Sequence, residues 1–275
     1  MGYRTLMVHL EIGNSNSHLL KITGDLAERF DANLIGIAAC QPMQMVYADG
    51  YIPGEVIEQS RKEMEVETRR TEAEFRDAFQ GHVRNVTWRS IVMYGALPSY
   101  IACEALSADL VITGVATGDF FDASRSANTG DFIMQIGRPV LVVPSAVETL
   151  KPERILVCWK DTRESRRAIV DALPLLKKAS HVTIVEIADD DHLPDARGHL
   201  NDVVGWLKTH GVVANSLATA AAGDDGTDLY AIAQQHDIDV VVAGAYGHSR
   251  VREWAFGGVT KNLLINTNRC VLLSH

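Results

Sequence analysis

The sequence predicts an α/β protein built from two tandem domains, each an open, mostly parallel sheet covered by helices. Three observations carry this. Short apolar runs alternate with segments of helical period. The runs are continuous rather than alternating, as strands buried on both faces require. And the whole pattern occurs twice along 275 residues, a length that fits two domains of about 100–200 residues each.

The repeat shows in its landmarks. Arg4-Thr-Leu-Met-Val-His-Leu10 and Arg154-Ile-Leu-Val-Cys-Trp159 open the two halves with an apolar run. Asp25–Ile37 and Ala172–Ile184 each read as the end of an amphipathic helix running into a strand. Asp109-Leu-Val-Ile-Thr-Gly114 matches Asp239-Val-Val-Val-Ala-Gly244, and Gly137-Arg-Pro-Val-Leu-Val-Val-Pro144 matches Asn268-Arg-Cys-Val-Leu-Leu-Ser274. Early landmarks are displaced by about 149 positions and late ones by about 130, so the first half holds roughly 19 extra residues, as insertions in repeats do. They fall within Gln41–Gln80. Pro42, Pro53 and Gly54 mark a loop there, and the charged run Glu55–Phe79 reads as a long helix. Its Glu and Arg residues at i,i+3 and i,i+4 make a solvated face over Glu58–Phe79.

The junction falls at Ser145–Pro152, giving domains 1–146 and 152–275. Alternation of the βαβ kind implies right-handed crossovers and Rossmann-like layers. Each half is expected to fold around its own sheet, the two related by an approximate two-fold axis.

Composition bounds the function. An apolar share of 47% with 22% charged residues is an ordinary globular balance. The apolar runs are strand-sized, short of the ~20 residues of a membrane span. The start of the chain runs straight into a strand pattern, without a leader-like stretch. Cys40, Cys103, Cys158 and Cys270 lack metal-ligand spacing and read as reduced core residues of a cytoplasmic protein. A net charge of −9 opposes nucleic acid and anionic membranes as partners. A small molecule or another protein remains.

One segment carries chemistry. Gly244-Ala-Tyr-Gly247-His-Ser-Arg-Val-Arg-Glu-Trp-Ala-Phe-Gly257-Gly258-Val-Thr260 follows a buried-type strand and precedes the helical Lys261–Asn266. Ligands of open α/β sheets bind beyond the carboxyl ends of the strands, where strand order switches. Glycines at a strand end let the backbone approach a ligand, and glycines at a helix start expose N–H groups that favour an anion. Thr260 adds a hydroxyl, and His248, Arg250 and Arg252 are placed to neutralise phosphate. Tight turns with ordinary packing are the competing reading.

These residues resemble the universal stress protein family. Its ATP-binding branch carries Gly, two residues, Gly, nine residues, Gly, then Ser or Thr; Gly244, Gly247 and Gly257 stand at the glycine places. The resemblance spans the chain twice, as in the tandem type of the family. It implies a five-stranded parallel sheet per domain and an internal pseudo-dimer paired through the last strands, with a homodimer as a further option. It also implies ATP, with Mg²⁺ as its companion ion, held by Gly244, Gly247, His248, Arg250, Gly257, Gly258, Val259 and Thr260 and by the first-strand turn Trp159, Lys160 and Asp161. Two places depart from the family. Gly258 replaces the Ser or Thr, and Lys160 stands where the first strand usually ends in an Asp that helps hold the adenosine. Either Asp161 takes over or the nucleoside end is held differently. Trp159 is placed either to stack on a base or to pack in the core.

The equivalent loop of the first half has Thr117 and Ala127 in place of the second and third glycines. Asp119, Asp122 and Asp131 would repel phosphate, and Glu11 holds the first-strand acidic place without a phosphate partner. This degenerate half is expected not to bind ATP. It either takes another ligand through Met43–Ile52 or acts as a pairing partner.

Other chemistry is disfavoured. No Gly-x-x-x-x-Gly-Lys-Ser/Thr loop and no Gly-x-Ser-x-Gly elbow occurs. His192 and His199 stand near Asp189, Asp190, Asp191 and Asp195, in an expected post-strand loop where solvated carboxylates are simpler than a metal site. Asp224–Asp228 reads as a turn and cap before a helix over Leu229–His236. The leading reading is a stress-response regulatory or sensor protein that binds ATP in its second domain and signals to an unknown protein partner. A slow ATPase of the same fold and a scaffold without nucleotide are the alternatives.

Overall fold

The computed structural model describes residues 2–41, 54–93, 95–115, 129–221, 223, 225–245 and 268–275. Its contacts divide the chain into two compact units, Tyr3–Ile136 and Gly137–His275.

The first unit begins with β1 (Thr5–His9), α1 (Ser17–Phe30) and β2 (Asn33–Cys40). The long helix α2 (Gly54–Phe79), β3 (Val86–Val92), α3 (Leu97–Glu104) and a 3-10 turn follow, then β4 (Leu110–Gly114) and α4 (Thr129–Ile136). The strands lie in the order β3-β2-β1-β4, and the pairs β3–β2, β2–β1 and β1–β4 are parallel. Nearly every residue of β1, β2 and β4 is buried, because helices cover both faces. Helix α2 is the insertion read from the sequence. Met64, Thr68, Thr71, Phe75 and Phe79 form its buried stripe at helical spacing, with Phe75 against Trp88. Its outer face carries Arg61–Glu58, Arg61–Glu65 and Arg76–Glu72 ion pairs, with the arginines exposed and the glutamates partly so. Such pairs are worth little individually.

The second unit holds β5 (Val140–Val143), β6 (Arg154–Cys158), α5 (Arg163–Leu176) and β7 (His181–Ala188). After a 3-10 turn come α6 (Leu193–Thr209), β8 (Ala214–Ala220), α7 (Asp225–Gln235), β9 (Val240–Gly244) and β10 (Cys270–Ser274). The order β8-β7-β6-β9-β10 is parallel throughout. Helix α5 packs on β9, β10 and β6, and α6 on β7 and β8.

Here the expectation of a separate sheet for each half needs correcting. β5, the last strand of the first sequence repeat, pairs antiparallel with β10, the last strand of the second, with Leu141 opposite Leu272. Both are fully buried apolar strands, and the pairing leaves neither with an open row of backbone groups. This is last-strand pairing as the resemblance implied, made by hydrogen bonds within one sheet.

Both repeats use one device at the amino edge of the sheet. The Asp109 carboxylate accepts hydrogen bonds from the Arg4 and Thr5 amides at 2.7 and 3.0 Å, and the Asp109 amide donates to the Thr5 carbonyl at 2.8 Å. The Asp239 carboxylate accepts from the Glu153 and Arg154 amides at 3.0 and 2.8 Å, and its amide donates to the Arg154 carbonyl at 2.9 Å. The repeated landmark Asp thus fastens the strand before Gly114 or Gly244 to the first strand of its own repeat.

Two further readings change. The Asp-rich stretch after β7 is a 3-10 turn, Asp190–His192, leading directly into α6, with Pro194 in the first helical turn. Asp190, Asp191 and Asp195 sit at a helix start, where negative charge is favourable. Cys103 is exposed, whereas Cys40 and Cys270 are buried and Cys158 is partly so. Its place on the outer side of the short α3 is a helical-face effect that an apolar neighbourhood in sequence does not reveal.

Candidate functional site

In the second unit, β6 is followed on one side by β7 and β8 and on the other by β9 and β10, so strand order switches between β6 and β9. A crevice opens at the carboxyl edge beside such a switch. β6 delivers Trp159, Lys160 and Asp161 to that edge, and β9 delivers Gly244 and Ala245. β6 and β9 pair directly, with Cys158 opposite Ala243, so the two groups leave neighbouring strand ends. Gly247, His248, Arg250, Arg252, Gly257, Gly258, Val259, Thr260 and the expected helix Lys261–Asn266 lie outside the described residues, as do Thr117, Asp119, Asp122, Ala127 and Met43–Ile52.

Gly244 has a packing reason of its own. A Cβ there would lie 2.6 Å from the Glu164 carbonyl carbon and 2.7 Å from the Ser165 nitrogen. The first turn of α5 thus rests on the end of β9, and only glycine admits it. At Gly114, the equivalent in the first repeat, a Cβ would meet nothing within 4 Å among the described residues.

The turn after β6 is tightly bonded. The Trp159 amide donates to the Val185 carbonyl at 2.7 Å, extending the β6–β7 ladder, and the Thr162 amide donates to Lys160 at 2.6 Å. Thr162 caps α5, its hydroxyl accepting from the Ser165 amide at 3.2 Å. Asp161 is exposed and pairs with Arg166. Trp159 is half-buried, and its Nε1 is enclosed with no hydrogen-bond partner among the described residues. Glu164, buried in the first turn of α5, pairs with Arg163. Burial acts to raise its carboxyl, but the hydrogen bond and charge of Arg163, with the charge of His275, hold it below the usual range.

Sequence reasoning missed Glu186 on β7. It is 7% exposed, its Oε1 lies 3.4 Å from His199 Nδ1 on α6, and its Oε2 is enclosed without a hydrogen-bond partner among the described residues. Burial pushes its carboxyl up; His199 opposes the rise, Asp161 adds to it and Lys160 opposes it. The available signal was a lone acid in the apolar run His181–Ala188.

The first repeat arranges the same edge differently. His9 ends β1, 4% exposed, with Nδ1 3.1 Å from the Thr113 hydroxyl on β4. Burial pushes its imidazole down to about 4, so the ring is neutral. His9 Nε2 has no hydrogen-bond partner among the described residues, and the ring lies beside Phe132. The start of α1 is closed from within the unit. Asn16 accepts from the Glu11 amide at 3.0 Å, and its own amide nitrogen donates to Glu74 of α2 at 3.1 Å. Glu11 meanwhile accepts from Asn14 at 2.9 Å. A carboxylate from the inserted helix therefore lies at a helix start that would otherwise favour an anion.

A universal stress protein from Archaeoglobus fulgidus DSM 4304 superposes with a TM-score of 0.76 at 13% identity, covering 98% of this chain and 97% of that one. The fold is that of the universal stress proteins, in tandem form. A functionally unknown protein from Pseudomonas aeruginosa PAO1 also shares this fold, with a TM-score of 0.62 at 14% identity, covering 99% of this chain and 92% of its own. No family model matches the sequence, and no curated protein matches it. Among the described residues no helix is long and apolar enough to cross a membrane.

Proposed function

We propose that the protein is a stress-response regulator or sensor that binds ATP, with Mg²⁺, at the carboxyl edge of its second repeat. One observation carries the reading: the glycine-spaced segment 244–260 starts from β9 at the β6–β9 switch point, directly beside the Trp159–Asp161 turn. In this reading the segment's exposed N–H groups, with His248, Arg250 and Thr260, take the phosphates. Gly257, Gly258 and Val259 supply the close backbone approach, while Trp159, Lys160 and Asp161 border the nucleoside. Gly244 serves the fold, through its contact with α5, and leaves the phosphate role to the glycines after it. The first repeat contributes pairing rather than ATP binding, since its helix start already holds the Glu74 carboxylate. A soluble cytoplasmic setting, an unknown protein partner and homodimer formation belong to the same proposal.

The test is mass spectrometry of small molecules released from the natively purified protein, paired with thermal stability in millimolar ATP–Mg²⁺. Adenine nucleotide in the eluate and a raised melting temperature are expected. Gly257→Asp should weaken ATP binding at least about tenfold, because a carboxylate would replace a charge-assisted N–H contact to phosphate. The melting temperature without ligand serves as its folding control. No nucleotide and no stabilisation would favour a scaffold that binds only protein. Phosphate release over time separates a binding protein from a slow ATPase.

A further inference from the structure

The resemblance expects an acid at the end of β6, and Lys160 stands there. Asp161, the next candidate, is exposed and already paired with Arg166. The nucleoside end therefore lacks its carboxylate on the strand where the family carries one. The structure places another carboxylate on the neighbouring strand. Glu186 lies one residue after Val185, whose carbonyl receives the Trp159 amide at 2.7 Å. Lys160 and Asp161 both act on its charge. Of its two oxygens, Oε1 lies 3.4 Å from His199, and Oε2 is enclosed without a hydrogen-bond partner among the described residues.

A buried carboxylate with an unsatisfied oxygen is costly unless a donor arrives. Glu186 accepts only, so what it lacks is an O–H or N–H. In βαβ units that bind nucleotides, an acidic side chain near the end of the second strand meets the ribose hydroxyls. β7 is the second strand of this repeat, and Glu186 is the third residue from its carboxyl end. A ribose offers two adjacent O–H donors and no charge, which suits a carboxylate that already has one histidine contact.

We infer that Glu186, buried on β7 beside the Trp159–Asp161 turn, is the carboxylate that holds the ribose hydroxyls of the nucleotide in the second repeat. This rests on the nucleotide reading above. His199 is then a positioning residue, fixing one oxygen so that the other serves the ligand.

Titration calorimetry of the full chain with ATP and with 2′,3′-dideoxy-ATP tests it, in wild type and in Glu186→Gln. Wild type is expected to bind ATP about tenfold more tightly than the dideoxy form, the size of one charge-assisted hydrogen bond. Glu186→Gln should bind both alike, at the weaker affinity. Its melting temperature without ligand should not fall, because the amide keeps the shape and removes a buried charge. If wild type binds ATP and the dideoxy form equally, or if Glu186→Gln keeps the preference, the assignment of Glu186 is overturned and the nucleotide reading stands. Binding of neither compound overturns both.

Discussion

The two repeats agree at one edge of the sheet and differ at the other. At the amino edge, Asp109 and Asp239 make the same pair of hydrogen bonds to the first strand of their repeats, with distances matching within a few tenths of an ångström. At the carboxyl edge, β1 ends in a buried His9 bonded to Thr113, whereas β6 ends in Cys158 and leads into a bonded turn beside Glu186. The first helix of one repeat starts against Glu74 from an inserted helix; that of the other starts against its own Glu164 and the end of β9. The amino edge needs only to hold the strands together, so both copies keep the same device there. The carboxyl edge is where a ligand would sit, and there the copies have gone separate ways.

That contrast can be broken by experiment, beginning with the largest effect. His9 is neutral in the folded protein, with its imidazole pushed down to about 4, against an ordinary 6.5 in the unfolded chain. As pH falls through this window the unfolded state takes up a proton that the folded state refuses, so stability is lost on acidification. A depression of this size corresponds to about 3 kcal/mol lost between pH 6.5 and 4. Cys158 at the equivalent strand end, its thiol pushed up to about 12 by burial, does not titrate there. Urea unfolding from pH 7 to pH 4.5 should show a steeper loss for wild type than for His9→Gln. Equal slopes would remove His9 from the account.

Next in size is Gly244→Ala. The added methyl would meet the α5 backbone at under 3 Å, and relief requires shifting a helix, at a cost of about 2–3 kcal/mol. Gly114→Ala meets no described atom within 4 Å and should change stability by no more than about 0.5 kcal/mol. Denaturant midpoints measure both, and similar losses would contradict the difference drawn between the two strand ends.

The smallest effect tests the shared edge. Asp109→Ala and Asp239→Ala each remove the acceptor of two backbone amides near solvent. Each should cost about 1–2 kcal/mol, and the two costs should agree. A loss at only one of them would show that the matched geometry hides unequal roles.

Much of the fold was legible in the sequence. The displaced landmarks located the repeat and the insertion and aligned Asp109 with Asp239, because a strand buried on two faces leaves a long apolar run; the bonds those two carboxylates make came only from the structure. The antiparallel joining of β5 and β10 was legible only as last-strand pairing, since hydrogen bonding across a sheet leaves no periodic trace. The packing of Gly244 against α5 was not legible, because a glycine that admits a helix and one that admits a ligand look alike in sequence. Glu186 was missed because its significance lies in an enclosed, unpartnered oxygen, which depends on neighbours from β6 and α6. Asp161 looked like the substitute acid because it adjoins Lys160 in sequence, and only the structure shows it turned to Arg166.

The central claim is that the second carboxyl edge, and not the first, is a nucleotide site. Hydrogen exchange of the full chain with and without ATP–Mg²⁺ tests it directly. Protection should appear over 244–262 and the turn Trp159–Asp161, with residues 114–131 unchanged. Protection of 114–131 without change over 244–262 would place the ligand in the wrong repeat and contradict the account.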